Sequence, residues 1–173
     1  NKDPSDVKLA VLIADDHTLV VESVRTCVAK RDDIGRIATA DNGVMAIALA
    51  KELQPDLVIL DLALPMATGI EVLREIKRWC PRTKVLVLTG ITMPTTLQSV
   101  LTGGAQGLAL KTTPLAQLEG GIDQVIAGDA WISEDVQAFL DQAPVGRNLT
   151  NREVQVLDLL LRGLTNAEVA DKL

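Results

Sequence analysis

One stretch constrains the fold of this chain more than any other: the ten residues 56–65, which read DLVILDLALP. Residues 57–60 are apolar at every position, as in a strand of a parallel sheet that helices cover on both faces. Pro65 then ends the strand, because proline cannot donate a ladder hydrogen bond. Asp61 is therefore predicted at the carboxyl end of a buried strand, where open α/β sheets carry ligands and chemistry. The alternative is an aspartate that only caps the next turn.

The same pattern recurs along the first 128 residues. Apolar runs over 9–14, 84–88 and 107–110, and a shorter strand candidate over 36–40, alternate with helical patterns. Five strands that alternate with five helices predict an α/β fold with a doubly wound, five-stranded parallel sheet. This pattern alone leaves the order of the strands open. The helices are predicted to begin near His17, Val44, Thr68, Thr95 and Thr113, the last with Pro114 in its first turn.

Composition limits the kind of protein further. Hydrophobic residues make up 47% of the chain and aromatic residues only 2%, so the predicted core is aliphatic. No run of 18 apolar residues and no signal-peptide pattern occurs, so we expect no membrane span. Cys27 and Cys80 lack the spacing of a metal site, and isolated cysteines suit a reducing cytoplasm better than a disulfide scaffold.

The pattern changes after residue 128. Residues 131–148 are predicted to form a connector with a short helix around 134–142. Two capping boxes then predict two helices joined by a tight turn at Gly163. About 25 residues are too few to bury an independent core, so this part is expected to be an all-α fragment. The boxes pair Thr150 with Glu153 and Thr165 with Glu168.

Four of the predicted strands end in a chemically capable side chain: Asp15-Asp16, Asp61, Thr89 and Lys111. In a parallel sheet these ends share one edge, where three carboxylates repel by roughly 4 kcal/mol per pair at 4 Å. Clustered carboxylates with no histidine or cysteine partner are expected to favour Mg²⁺ over zinc. Thr89 and Lys111 are suited to hold the oxygens of a phosphoryl group on Asp61. Each residue alone often only caps a helix, but four coincident strand ends favour the functional interpretation.

These motifs resemble the receiver domain of two-component response regulators. Asp15-Asp16-His17 resembles the acidic pair of that family, and Asp61-x-x-x-Pro65-x-x-x-Gly69 resembles its phosphoacceptor loop. Thr89 stands at the position of the family's hydroxyl residue. Residues 104–111, which read GAQGLALK, resemble the segment that leads to its lysine. The resemblance covers roughly residues 7–128, with every motif in order.

The C-terminal fragment is similar to the first half of a LuxR-type helix-turn-helix domain. The similarity rests on LTNREV at 149–154 and GLTNAEVA at 163–170. The whole chain thus resembles a NarL/FixJ-type response regulator. This resemblance implies a flavodoxin-like receiver with strand order 2-1-3-4-5. The expected domains are a receiver over 7–128, a linker over 129–148 and the beginning of the DNA-binding domain over 149–173.

The resemblance also implies a role for each site residue. The chain is expected to accept a phosphoryl group from a phosphohistidine of a sensor histidine kinase, in the cytoplasm, and to act as a homodimer when active. Mg²⁺ is the implied cofactor. The implied phosphoacceptor is Asp61, the implied metal ligands are Asp15, Asp16, Asp61 and the carbonyl of Ala63, and the residues implied to contact the phosphoryl oxygens are Thr89 and Lys111.

Three positions bear on other interpretations of the site. Leu108 stands where the family usually has an aromatic residue that follows the movement of Thr89, so the switch through Thr89 and Leu108 is expected to be altered. A receiver that acts without phosphorylation, as a dimerisation or partner-binding module, is the alternative function. A magnesium-dependent phosphatase is disfavoured, because Ala63 occupies the place of its second acid. His17 is expected to belong to the loop after Asp16 rather than to bind a metal.

DNA binding is expected only of the full-length parent. In helix-turn-helix proteins the second helix enters the major groove, and here that helix is expected to follow Leu173. Residues 147–173 carry four basic and four acidic side chains, which offer little attraction for phosphates. The net charge of −6 therefore lies in the part before residue 147.

Overall fold

Six strands and six helices alternate along residues 8–142, which are the residues that the computed structural model describes. All five helices predicted for the first 128 residues are present. Pro114, predicted inside the first turn of the fifth helix, is instead its N-cap. The strands are β1 (Leu9–Ala14), β2 (Ile34–Ala40), β3 (Leu57–Leu60), β4 (Lys84–Thr89), β5 (Gly107–Leu110) and β6 (Trp131–Ile132). The helices are α1 (Thr18–Ala29), α2 (Gly43–Leu53), α3 (Gly69–Trp79), α4 (Pro94–Thr102), α5 (Leu115–Ala127) and α6 (Glu134–Asp141).

The strands form one parallel sheet in the order β2-β1-β3-β4-β5-β6. The predicted order 2-1-3-4-5 is therefore confirmed, with one strand added beyond β5. The strand order reverses direction between β1 and β3, so their carboxyl ends flank a crevice. Asp15 directly follows β1 and Asp61 directly follows β3, which places both at this crevice.

Aliphatic side chains fill the space on both faces of the sheet. On one face the core includes residues of α2, α3, α4 and α6, and on the other it includes residues of α1 and α5. None of the fully buried core residues is aromatic, which confirms the predicted aliphatic core within the described part of the chain. Because both faces are covered, β3 and β5 are buried at every position.

The sixth strand corrects the prediction of a five-stranded sheet. Trp131 donates its backbone N–H to the carbonyl of Gln106 at 2.9 Å, and Ser133 donates to the carbonyl of Leu108 at 3.0 Å. The predicted connector therefore continues the sheet before it forms α6, whose predicted position is confirmed. A strand of two residues is too short to show an alternating pattern, which is why the sequence did not indicate it.

Trp131 explains one of the two neighbouring glycines inside helix α5. Helix α5 runs through Gly120 and Gly121 without a break. A Cβ at Gly121 would lie 2.3 Å from the indole ring of Trp131, which leaves no space for a side chain. A Cβ at Gly120 would meet no atom within 4 Å. The indole thus packs directly on the backbone of α5 and connects β6 to this helix.

The beginning of α3 closes tightly under the loop that carries Asp61. Thr68 and Glu71 form the predicted capping box, in which each side chain bonds the other residue's backbone N–H. A Cβ at Gly69 would lie 2.4 Å from the carbonyl oxygen of Asp61. Only glycine permits this approach, so the capped helix fixes the backbone next to the acidic site.

Some predictions fall on residues that the structure does not describe. The two helices predicted from Thr150 and Thr165 lie outside residues 8–142. Within those residues, no helix combines the length and the apolar character needed to cross a bilayer.

Candidate functional site

Asp61 is a buried carboxylate with both oxygens engaged. Its exposed fraction is 2%, and it directly follows the buried strand β3. The backbone N–H of Ala63 donates to Oδ1 at 3.2 Å, and Lys111 Nζ donates to Oδ2 at 2.7 Å. A buried carboxyl group without such partners would be costly, so the bonds from Lys111 and from the loop after β3 stabilise the Asp61 side chain in this position.

Lys111 joins two strand ends across the crevice. It follows β5, and its Nζ lies 2.8 Å from Asp15 Oδ2 as well as 2.7 Å from Asp61 Oδ2. Burial by itself would lower the pKa of Lys111, but hydrogen bonds and the negative charges of Asp15 and Asp61 outweigh burial and raise this pKa above its usual value. Lys111 is therefore a cation at neutral pH.

The acidic pair after β1 completes the cluster. Asp15 is buried and Asp16 is exposed, and the ring of His17 contacts both carboxylates as well as the lysine. His17 Nδ1 is 2.9 Å from Asp15 Oδ1, 3.1 Å from Asp16 Oδ1 and 3.0 Å from Lys111 Nζ. The sequence placed His17 in the loop after Asp16. It does precede α1 as the N-cap, but its ring also reaches the carboxylates.

The donor set of this cluster fits a divalent cation. One ligand atom from each of Asp15, Asp16, His17 and Asp61 lies within 4.8 Å of the others. Three carboxylates face the single ammonium of Lys111, so negative charge remains uncompensated. Carboxylate oxygens are the ligands that Mg²⁺ prefers. The three predicted aspartate ligands and Lys111 are thus together, and Ala63 adjoins them through its N–H.

Thr89 lies at the same carboxyl edge of the sheet, but its side chain points to the loop that follows β4. Its side chain is fully buried at the end of β4, and its Oγ1 accepts the backbone N–H of Ile91 at 3.0 Å. The backbone N–H of Lys111 donates to the Thr89 carbonyl at 2.8 Å, but among the described residues the Thr89 hydroxyl itself makes no hydrogen bond to Asp61 or Lys111. The hydroxyl would have to turn to meet a phosphoryl group on Asp61.

This geometry agrees with a match between residues 11–123 and the family model described as response regulator receiver domain. The chain belongs to the two-component response regulators. Residues 147–173 match a second model, that of the bacterial regulatory proteins of the luxR family. The resemblance to NarL/FixJ-type regulators is thereby confirmed, with a receiver followed by a LuxR-type DNA-binding region.

Named relatives of this response regulator match over most of their length. The oxygen regulatory protein NreC of Staphylococcus carnosus is 32% identical over 95% of this chain and 82% of its own. The response regulator protein VraR of Staphylococcus aureus is 29% identical over 94% and 80%.

Solved structures agree with the fold. A LuxR-family response regulator from Aurantimonas is 28% identical, with a TM-score of 0.73 over 80% of this chain and 99% of its own. Salmonella RcsB bound to a promoter in the presence of the phosphomimetic BeF3⁻ is 27% identical, with a TM-score of 0.76 over 96% and 83%.

Leu108 of this regulator occupies a closed position in the core. It lies on β5, is fully buried, and belongs to the core shared with α4 and α6. Ile132 pairs with it in the sheet, and Phe139 packs against the same core. In place of the aromatic ring that is usual in the family, Leu108 thus packs tightly in the core under α6.

A polar cluster that the sequence did not indicate connects the lysine loop to α6. Thr113, two residues after Lys111, donates its hydroxyl to Asp135 at 3.1 and 3.2 Å from the two carboxylate oxygens. Ser133 also donates to Asp135, whose Oδ1 accepts the N–H of Val136 at 2.9 Å. Serine followed by acidic residues at a helix start was the signal that could have revealed this cluster. The loop that presents Lys111 is thus bonded to the element that leads towards residues 143–173.

Proposed function

We propose that this response regulator accepts a phosphoryl group on Asp61 from a phosphohistidine of a sensor histidine kinase, and that this controls transcription through its LuxR-type region. The observation that carries the proposal is the convergence of Lys111, Asp15 and Asp16 on one buried carboxylate at the crevice of the sheet. Perturbed, clustered ionisable groups in such a crevice are typical of a functional site.

The proposed transfer needs few groups. An oxygen of Asp61 forms a bond to phosphorus while the bond between phosphorus and the donor imidazole nitrogen breaks, and its electron pair returns to the imidazole. Asp15, Asp16, Asp61 and the carbonyl of Ala63 would hold Mg²⁺, which when bound supplies positive charge for the phosphoryl oxygens. Lys111 adds a second cation next to Asp61. Thr89 would donate its hydroxyl to a phosphoryl oxygen once it turns.

The surface around the site supports a protein as the phosphoryl donor. Of the seven large apolar side chains that are exposed within residues 8–142, six lie in loops or first helical turns at the carboxyl edge of the sheet. Exposed apolar groups around a recessed polar site are typical of a surface that another protein covers. We call these six residues the apolar rim: Leu19, Val44, Met45, Met66, Met93 and Leu115.

The proposal is tested by phosphorylation of the intact chain with a small phosphodonor and Mg²⁺. We expect one added phosphoryl group by intact-mass spectrometry, lost with a chelator and absent from Asp61→Asn. The matched control is Asp41→Asn, since Asp41 is an exposed aspartate at the same sheet edge. A wild-type chain without the added mass, or an Asp61→Asn chain with it, contradicts the proposal.

The buried Leu108 supports a second candidate function, a receiver that dimerises or binds a partner without phosphorylation. No ring is present there to follow Thr89, and the side chain is already fully packed. The two functions differ in a full-length Asp61→Asn protein. Unchanged dimerisation and promoter binding favour the second function, and their loss favours the first.

The remaining proposals concern context. We assign the receiver to residues 7–128, the linker to 129–148 and the beginning of the DNA-binding domain to 149–173, which the extents of the two family matches support. Solved RcsB structures include dimers bound to DNA, and we propose homodimerisation for the active full-length protein. Two free, buried cysteines support a cytoplasmic location.

A further inference from the structure

Thr96 carries the one buried side-chain oxygen or nitrogen without a hydrogen-bond partner that we find within residues 8–142. Its side chain is fully buried in α4. Other helical hydroxyls of this protein donate to the carbonyl three or four residues earlier, as Ser99 does to Thr95 and Thr102 does to Gln98. A buried hydroxyl without a hydrogen-bond partner destabilises the folded state, because it has lost its bonds to water. The free protein therefore carries this destabilisation at one particular position.

The position is the first turn of the helix that follows Thr89. Residues 90–93 connect Thr89 to α4, which begins at Pro94 after an N-cap, Met93, that makes no side-chain capping bond. The first turn contains no acidic residue either. The start of α4 thus lacks the stabilising features that the Thr68–Glu71 box gives to α3.

The α4 helix also contacts the element that leads out of the receiver. Leu97 and Val100 of α4 belong to the same core as Leu108 and as Val136 of α6. A shift of the first turn of α4 would therefore move α6 through these packed aliphatic side chains. An aromatic ring at position 108 is not needed for this coupling.

Thr89 sets the condition for such a shift. At present its hydroxyl oxygen accepts the N–H of Ile91. When the Thr89 side chain rotates to bring its hydroxyl to a phosphoryl oxygen, Oγ1 moves away from Ile91. The N–H of Ile91 then loses its acceptor. Residues 89–96 then contain a backbone N–H, that of Ile91, which needs an acceptor. They also contain the Thr96 hydroxyl, which has no hydrogen-bond partner and can act as that acceptor.

We propose that Thr96 is a positioning residue of the phosphorylated state: its hydroxyl accepts a backbone N–H of loop 90–93, that of Ile91, once Thr89 releases it. This inference rests on the proposed phosphorylation of Asp61. In the free state the unpaired hydroxyl destabilises the fold, and in the phosphorylated state it holds the loop and the first turn of α4 together.

The test is the affinity of the intact chain for BeF3⁻ in the presence of Mg²⁺, measured by calorimetry, together with urea unfolding in its absence. Thr96→Val keeps the shape and removes the hydroxyl, and Thr96→Ser restores the hydroxyl. Thr102→Val in the same helix is the matched control, because Thr102 is exposed and bonded within the helix. We expect Thr96→Val to bind BeF3⁻ about fivefold more weakly, which corresponds to one hydrogen bond.

The expected pattern distinguishes positioning from packing. Thr96→Ser and Thr102→Val should stay within about twofold of wild type in affinity, and unliganded Thr96→Val should unfold at the same or a higher urea concentration than wild type. Equal affinity for wild type and Thr96→Val, or a loss of unliganded stability in Thr96→Val greater than in Thr102→Val, overturns the inference. If the valine variant does not fold, Thr96→Ala serves in its place. A wild-type chain that does not bind BeF3⁻ overturns the proposed function itself, together with this inference.

Discussion

At the scale of single residues, Lys111 differs from a surface lysine such as Lys30 because its ammonium group compensates the charge of buried carboxylates. It bonds two carboxylates, Asp15 and Asp61, whose side chains are 4% and 1% exposed. Lys30 forms an ion pair with Glu119 on the surface between α1 and α5. Breaking a buried ion pair leaves an uncompensated charge, whereas an exposed pair is screened by water.

Lys111→Met is therefore expected to lower the free energy of unfolding by about 2–4 kcal/mol without Mg²⁺. Added Mg²⁺ should recover part of this loss, since the ion compensates the same carboxylates. Lys30→Met serves as the control and should leave the free energy of unfolding close to that of wild type, because its ion pair is screened by water. Urea denaturation with and without Mg²⁺ measures both variants. Equal losses for the two substitutions would mean that the carboxylates do not depend on Lys111.

At the scale of elements, β6 is fixed to α5 by one aromatic contact on glycine. The indole of Trp131 occupies the space above Gly121, whereas Gly120 faces open space. Alanine favours a helix over glycine by about 1 kcal/mol wherever its methyl group fits.

The two neighbouring glycines are thus expected to respond in opposite directions. Gly120→Ala should raise the free energy of unfolding by about 0.5–1 kcal/mol. Gly121→Ala should lower it by about 1–3 kcal/mol, because the new methyl group displaces Trp131. A blue or red shift of tryptophan emission in Gly121→Ala alone would report the displaced indole. Stabilisation by both substitutions would show that Trp131 moves away at no cost.

At the scale of the whole molecule, the apolar rim should affect phosphoryl transfer from a protein donor but not from a small-molecule donor. Under the proposed function, a small donor reaches Asp61 without covering the rim, whereas a kinase domain that docks at the site covers it. Leu19 is 84% exposed next to the site, and Trp79 is an exposed apolar residue at the opposite edge of the sheet.

Leu19→Asp is accordingly expected to slow transfer from an autophosphorylated sensor kinase by at least about tenfold, the cost of losing one good apolar contact. Phosphorylation of Leu19→Asp by phosphoramidate should match that of wild type. Trp79→Gln serves as the control and should match wild type with both the kinase and phosphoramidate. Initial rates of phosphoryl incorporation measure each case. A kinase reaction that is insensitive to Leu19→Asp, or one that slows equally with phosphoramidate, contradicts a docking role for the rim.

The sequence predicted those parts of the molecule that depend on local patterns. Long apolar runs and the box of Thr68 and Glu71 give strong periodic or capping signals, and the strand ends then bring Asp61 and Lys111 together by topology. Side-chain orientation does not follow from topology. The turn of Thr89 towards Ile91 and the unpaired hydroxyl of Thr96 depend on tertiary packing, and only the structure reveals them.

The two residues of β6 have a consequence for the behaviour of the protein in concentrated solution. Without them, β5 would present unpaired backbone N–H and C=O groups as an open sheet edge, which is a template on which further chains add and aggregate. Trp131 and Ile132 use part of that hydrogen-bonding row, and the chain leaves at once into α6. The new edge is too short to seed another strand. This side of the sheet is thereby protected against growth into larger aggregates.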